Sequence, residues 1–128
     1  MFSHVMVGSS DLERSRRFYD ATLGTLDVPP GVQDRHRIFW RSPTGVFAAT
    51  LPINGKPQSI GNGSTLGFLC HSPEQVEAWH AAGLANGGTT CEDPPGIREG
   101  AAGSLYLAYL RDPDGNKLCA THRLPKAA

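Results

Sequence analysis

Arg111-Asp112-Pro113-Asp114-Gly115-Asn116-Lys117-Leu118 lies near the end of the chain, between the apolar run Ala108-Tyr109-Leu110 and a second run that continues to Thr121. Proline presets φ and glycine accepts positive φ, so Pro with Asp and then Gly between two β-type runs predicts a hairpin. Seventy residues earlier, Arg41-Ser42-Pro43-Thr44-Gly45 has the same form, set between Ile38-Phe39-Trp40 and Val46 to Leu51. Two copies of one turn in a chain of 128 residues point to an internal repeat.

Features upstream of each turn match as well. Ser10-Asp11-Leu12-Glu13 reads as a helix start, with Ser10 as cap and Glu13 three residues on, and Ser72-Pro73-Glu74-Gln75 repeats the pattern with Pro in the first helical position. The first helix carries Leu12, Ser15, Tyr19 and Leu23 on one stripe with Phe18 beside it, and ends at Gly24. The second carries Val76, Trp79, His80 and Gly83, and ends near Asn86-Gly87-Gly88. A strand precedes each helix, Phe2 to Gly8 and Thr65 to Cys70, and a further weakly marked strand is expected near Val32 to Arg37 and Gly96 to Gly103. The predicted architecture is α+β: two βαβββ modules, about 1–55 and 64–123 of a single domain 1–128, forming a curved mixed sheet around a central cleft. The Gly-, Pro-, Asn- and Ser-rich stretch Asn54 to Ser64 is the linker.

Composition limits the partners. The 12 Lys+Arg balance 12 Asp+Glu, and only 19% of residues are charged, so no electrostatic case exists for nucleic acid or an anionic membrane. The longest apolar runs, such as Leu105 to Leu110, fall far short of the ~18 residues that a membrane span needs. No basic segment followed by an apolar stretch opens the chain, and Cys70, Cys91 and Cys119 offer no Cys-x-x-Cys spacing. A cytoplasmic protein without disulfides or structural zinc is therefore expected. Fifteen Gly and ten Pro make near a fifth of the chain, against about 12% in average usage, as many turns between short elements require.

The chain resembles the vicinal oxygen chelate superfamily, which includes glyoxalase I, extradiol dioxygenases, and fosfomycin and bleomycin resistance proteins. The resemblance rests on His4, on Asp11-Leu12-Glu13-Arg14-Ser15 followed by Phe18-Tyr19, and on Arg111 to Leu118. It implies the glyoxalase/bleomycin resistance fold, a homodimer whose partner often completes the cleft, and a divalent metal held by one ligand on each of four strands. The ligands are usually His or Gln on the first strand of each module and Glu on the last. By that resemblance the four slots here are His4, Ala49, Thr65 and Cys119. Such a metal takes hard N and O donors, so this set predicts that none is bound and that no cofactor is needed.

The remaining candidates come from strand alternation. A Ser42 to Gly45 connection pairs Trp40 with Phe47 and Ile38 with Ala49; the matching turn pairs Leu110 with Lys117 and Ala108 with Cys119, and directs Tyr106 inward. The expected cleft then combines Trp40, Phe47 and Tyr106 with His4, Thr65, Lys117 and Cys119, an apolar wall with a few polar points. Arg98, in the stretch after Pro94-Pro95-Gly96-Ile97, either reaches over the cleft to an anionic group or is a plain surface arginine. His4 is either a general base or a residue that hydrogen-bonds a ligand or water. Cys119 is either a nucleophile activated by Lys117 or a small filler where the glutamate usually stands. Two functions follow: a metal-free protein that binds a small organic molecule in the cleft, or a lyase, isomerase or dioxygenase of the glyoxalase type with a nonstandard divalent metal site or His4 and Cys119 acid/base chemistry.

Overall fold

The computed structural model describes residues 1–126. Each half runs strand, helix, then antiparallel strands. The first half comprises β1 (His4–Gly8), α1 (Leu12–Gly24), β2 (Val32–Asp34), β3 (Arg37–Ser42) and β4 (Gly45–Thr50). The second comprises β5 (Leu66–Leu69), α2 (Pro73–Ala85), β6 (Thr89–Thr90), β7 (Gly96–Gly100), β8 (Gly103–Arg111) and β9 (Lys117–Arg123). The first sheet is ordered β1-β4-β3-β2 and the second β5-β9-β8-β6, with β7 also pairing β8. In both, the opening strand lies parallel to the last one while the rest is antiparallel. The two weakly marked strands exist as β2 and β7; the two-residue β6 has no counterpart in the first half.

Both helices bury most of the stripe that periodicity assigns them: Ser15, Phe18, Tyr19 and Leu23 on α1, where Leu12 is only partly buried and Thr22 is buried in addition, and Val76, Trp79, His80 and Gly83 on α2. They share one core with Ile38, Trp40, Phe47 and Ala49 of the first sheet and Ala108, Leu110, Leu118 and Ala120 of the second. Ser72 caps α2 by accepting from the Gln75 amide, and Gln75 Oε1 accepts from the His71 amide at 2.7 Å. The α1 cap is Asp11, not Ser10: Asp11 accepts from the Arg14 amide at 3.1 Å, while the Ser10 hydroxyl donates to Asp114 at 2.5 Å. A remote carboxylate has drawn Ser10 away from the helix.

That contact belongs to a clamp. From the β8–β9 turn, Asp114 Oδ1 accepts from the Ser10 amide and from Arg14 Nη2, both at 3.0 Å. Asp112 Oδ2 accepts from the Tyr19 hydroxyl at 2.5 Å, and Asn116 Nδ2 donates to the Gly8 carbonyl at 3.0 Å. The second module thereby locks the end of β1 and the start of α1. Among the described residues, the related β3–β4 turn makes only local bonds, Ser42 Oγ with the Gly45 carbonyl and with Thr44. One junction between the modules is sealed; the other, at the start of β1 and the end of β5, is open.

Candidate functional site

Residues paired across adjacent strands share a face, so the ladders fix which side chains can meet in the cleft. On the first sheet, Val5 pairs with Phe47 and Phe47 with Trp40, while Val7 pairs with Ala49 and Ala49 with Ile38. All of these point toward the helices. The outer face carries the rows His4–Val46–Arg41, Met6–Ala48–Phe39 and Gly8–Thr50–Arg37. Trp40 and Phe47 are thus buried on the helix side, 1% and 7% exposed, and not on the outer face with His4. Hairpin pairing was as expected; the face was not, because it follows from the parallel β1–β4 register, which no turn encodes.

On the second sheet the hairpin register itself differs. Arg111 pairs with Lys117, Tyr109 with Cys119 and Ala108 with Ala120. The loop from Asp112 to Asn116 holds five residues against two in the first hairpin, since Asp112 Oδ1 accepts from the amides of both Asp114 and Asn116. The shift turns Tyr106 to the helix side, where its hydroxyl donates to Glu77 at 2.5 Å, and puts Tyr109 on the outer face instead. Tyr106 is therefore removed from the cleft and Tyr109 added. Lys117, Cys119 and Thr121 share that outer face with Gly67 and Leu69, and Arg98 joins them through its pairing with Leu105. Thr65 immediately precedes β5 and is exposed.

Several of these groups are already engaged. Lys117 forms an ion pair with Glu92 and lies 5.1 Å from the Tyr109 ring centroid; the Glu92 hydrogen bond raises its pKa. Arg98 Nη2 donates to the carbonyls of Asp93 and Pro94 at 3.0 and 2.9 Å. Cys119 Sγ lies 3.3 Å from Thr121 Oγ1. Burial pushes the Cys119 thiol up, and hydrogen bonds from Thr121 and Tyr109 oppose this only in part. A buried thiol held protonated is a poor nucleophile, so the geometry favours the filler role for Cys119.

The equivalence of the modules also corrects one slot. Leu66 faces Leu118 as Val5 faces Phe47, so Thr65 matches His4 and Cys119 matches Ala48 rather than Ala49. The four positions hold one imidazole, one methyl, one hydroxyl and one protonated thiol. Arg41 stands in the row of His4, and Lys117 pairs directly with Arg111. Too few donors and adjacent fixed cations do not fit a divalent ion. Among the described residues, no group of three or more His, Cys, Asp or Glu is placed to hold one.

At the open junction lies a cavity of about 580 Å³. His4, Val46, Gly67 and Leu69 border it from the outer faces, Trp40, Phe47, Leu66 and Phe68 from the core side, as do Leu23 of α1 and Leu26 and Val28 of the segment that follows it. His71 also lines it. No Asp, Glu, Lys or Arg lines it among the described residues. Its size suits a compact organic ligand, with imidazole and hydroxyl groups as its polar points. Alternation assigns Leu66 and Phe68 to the core and gives no sign that they border a void; only the missing clamp at the first turn carried that signal.

A family model described as the Glyoxalase/Bleomycin resistance protein/Dioxygenase superfamily matches residues 1–120. The crystal structure of a glyoxalase/bleomycin resistance protein from Albidiferax ferrireducens T118 is 69% identical, covers 95% of this chain and 98% of its own, and superposes with a TM-score of 0.94. A putative lactoylglutathione lyase of Brassica oleracea var. gemmifera is 27% identical over 89% of this chain, which spans only 41% of that relative. A virulence protein of Salmonella typhimurium is 26% identical, covering 88% of this chain and 77% of its own length.

Proposed function

The chain belongs to the glyoxalase/bleomycin resistance protein/dioxygenase superfamily, and within it we propose that it binds a small organic molecule in the cleft between its sheets without a metal ion. The observation that carries this is the cavity at the open junction, walled by Phe47, Phe68, Leu66 and Val46, with His4 at its outer mouth. Apolar walls with few polar points favour an organic ligand over an ion. A lactoylglutathione lyase reading, suggested by the name of the Brassica relative, would need metal donors at the positions of Ala48 and Thr65, whose side chains offer a methyl and a hydroxyl. The protein is proposed to act in the cytoplasm as a homodimer, with Met6 and Leu69, exposed on the outer faces, covered by a second copy.

The test is a fluorescence titration with a neutral apolar probe, phenyl-naphthylamine. Wild-type protein is expected to show one saturable site per chain, and Val46→Trp, which fills the mouth from the outer face, to abolish it while unfolding normally. Absence of saturation, or undiminished binding to Val46→Trp, would overturn the proposal.

A further inference from the structure

We propose that the outer face of β3, beside the mouth of the cavity, binds an organic anion with a planar ring through Arg37, Phe39 and Arg41; this goes beyond the small-molecule reading above, whose cavity none of these three residues lines. The whole chain is neutral, yet its charges are not evenly placed. Arg37, Arg41, Arg98, Arg111, Lys117 and Arg123, half of the twelve basic residues, project from strands onto the two outer faces. The matching strand positions supply one carboxylate, Asp34. Such a face repels metal cations and attracts anions.

The cations differ in how they are satisfied. On the second sheet, Lys117 is paired with Glu92, Arg111 Nη1 donates to the Gly115 carbonyl at 2.8 Å, Arg98 serves its own loop, and Arg123 Nη1 reaches the Ala102 carbonyl at 3.3 Å. On the first sheet, Arg37 and Arg41 have no carboxylate partner among the described residues, because Asp34 is paired with Arg35 at 3.4 Å. Arg41 lies 5.0 Å from the Phe39 ring centroid, and Arg37 Nε is buried without a hydrogen-bond partner. A buried guanidinium donor without an acceptor is costly, and an oxygen from a bound anion would relieve it.

Spacing gives the shape. Arg37, Phe39 and Arg41 alternate on one strand, so the two guanidinium-bearing residues are about 13 Å apart along it with the ring between them. A planar ring stacked on Phe39 places an acid group within reach of either arginine, and the fork of Arg suits a carboxylate or phosphate. His4 stands in the same row as Arg41, which joins this face to the mouth of the cavity.

Calorimetric titration at low salt with benzoate, phenyl phosphate and the uncharged isostere benzamide tests the assignment. Benzoate and phenyl phosphate are expected to bind at least about tenfold more tightly than benzamide, and to weaken as salt is added. The double variant Arg37→Gln/Arg41→Gln should remove most of that preference while leaving benzamide and phenyl-naphthylamine binding unchanged. Phe39→Leu should weaken all three ring compounds. Equal affinity for benzoate and benzamide, or benzoate affinity untouched in the double arginine variant, would overturn the anion assignment. Phenyl-naphthylamine binding in that case shows that the small-molecule reading survives; its absence shows that both fail. Inorganic phosphate binding as tightly as phenyl phosphate would overturn the role of Phe39. Tight, salt-steep binding of a short single-stranded DNA with no benzoate binding would replace the small anion with a polyanion.

Discussion

Asp112 is 4% exposed and gathers four hydrogen bonds: the Tyr19 hydroxyl and Asn116 Nδ2 on one oxygen, the Asp114 and Asn116 amides on the other. Burial and the Asp112 charge together raise the Tyr19 pKa well above its ordinary value, so this hydroxyl stays a donor at any physiological pH. Tyr19→Phe should cost about 1.5–3 kcal/mol in urea denaturation, the cost of removing a donor from a buried charged acceptor; a change under about 0.5 kcal/mol would contradict the clamp. His80 makes a different prediction. Burial lowers its pKa, with Glu77 opposing, so between that value and the unfolded ~6.5 the unfolded chain binds more protons than the native one. Its contribution to stability is present above pH ~6.5 and lost as pH falls. Replacement by Gln should flatten the decline of stability below pH ~6.5, measured by denaturation across that range; an unchanged slope would reject it.

At the scale of elements, most of the plan was readable because its signals are local. Caps, helix stripes and turn residues lie within a few positions of what they determine, and Ser72, Tyr19, Val76, both turns and the first hairpin's register fall where those rules place them. Ser10 shows where locality ends, since Ser and Asp both suit a cap and a carboxylate 104 residues away chose between them. Faces are harder still. Trp40 and Phe47 point inward because Val5 pairs with Phe47 across 42 residues, and Tyr106 yields to Tyr109 because three extra loop residues reset the ladder. A one-residue slip reverses every side chain of a strand. Packing of α2 supplies its own test. A Cβ on Gly83 would lie 2.2 Å from Leu110 Cδ1 and 3.3 Å from Phe18 and Thr22. Alanine gains about 1 kcal/mol of helix propensity there, but overpacking costs about 1–3 kcal/mol. Gly83→Ala should therefore lower stability in urea despite the better helix former; a gain would show that Leu110 can move freely.

Across the whole molecule, two like modules serve unlike ends. The acidic turn of the second module closes one junction on Tyr19, Ser10 and Gly8, and the neutral turn of the first leaves the other as a cavity. Of the candidate site, His4, Thr65 and Cys119 could be named from the sequence, because those are residue identities. The cavity and the arginine-lined face could not, because they arise from pairings between distant strands. Among the described residues, no helix is long and apolar enough to cross a membrane. The central claim is that the cleft binds an organic molecule with no metal, and titration of phenyl-naphthylamine into protein dialysed against EDTA tests it most directly. One saturable site per chain, with the same affinity before and after dialysis, is the predicted result. Binding that vanishes with EDTA and returns on adding a divalent metal, or no saturable binding in either state, would contradict it.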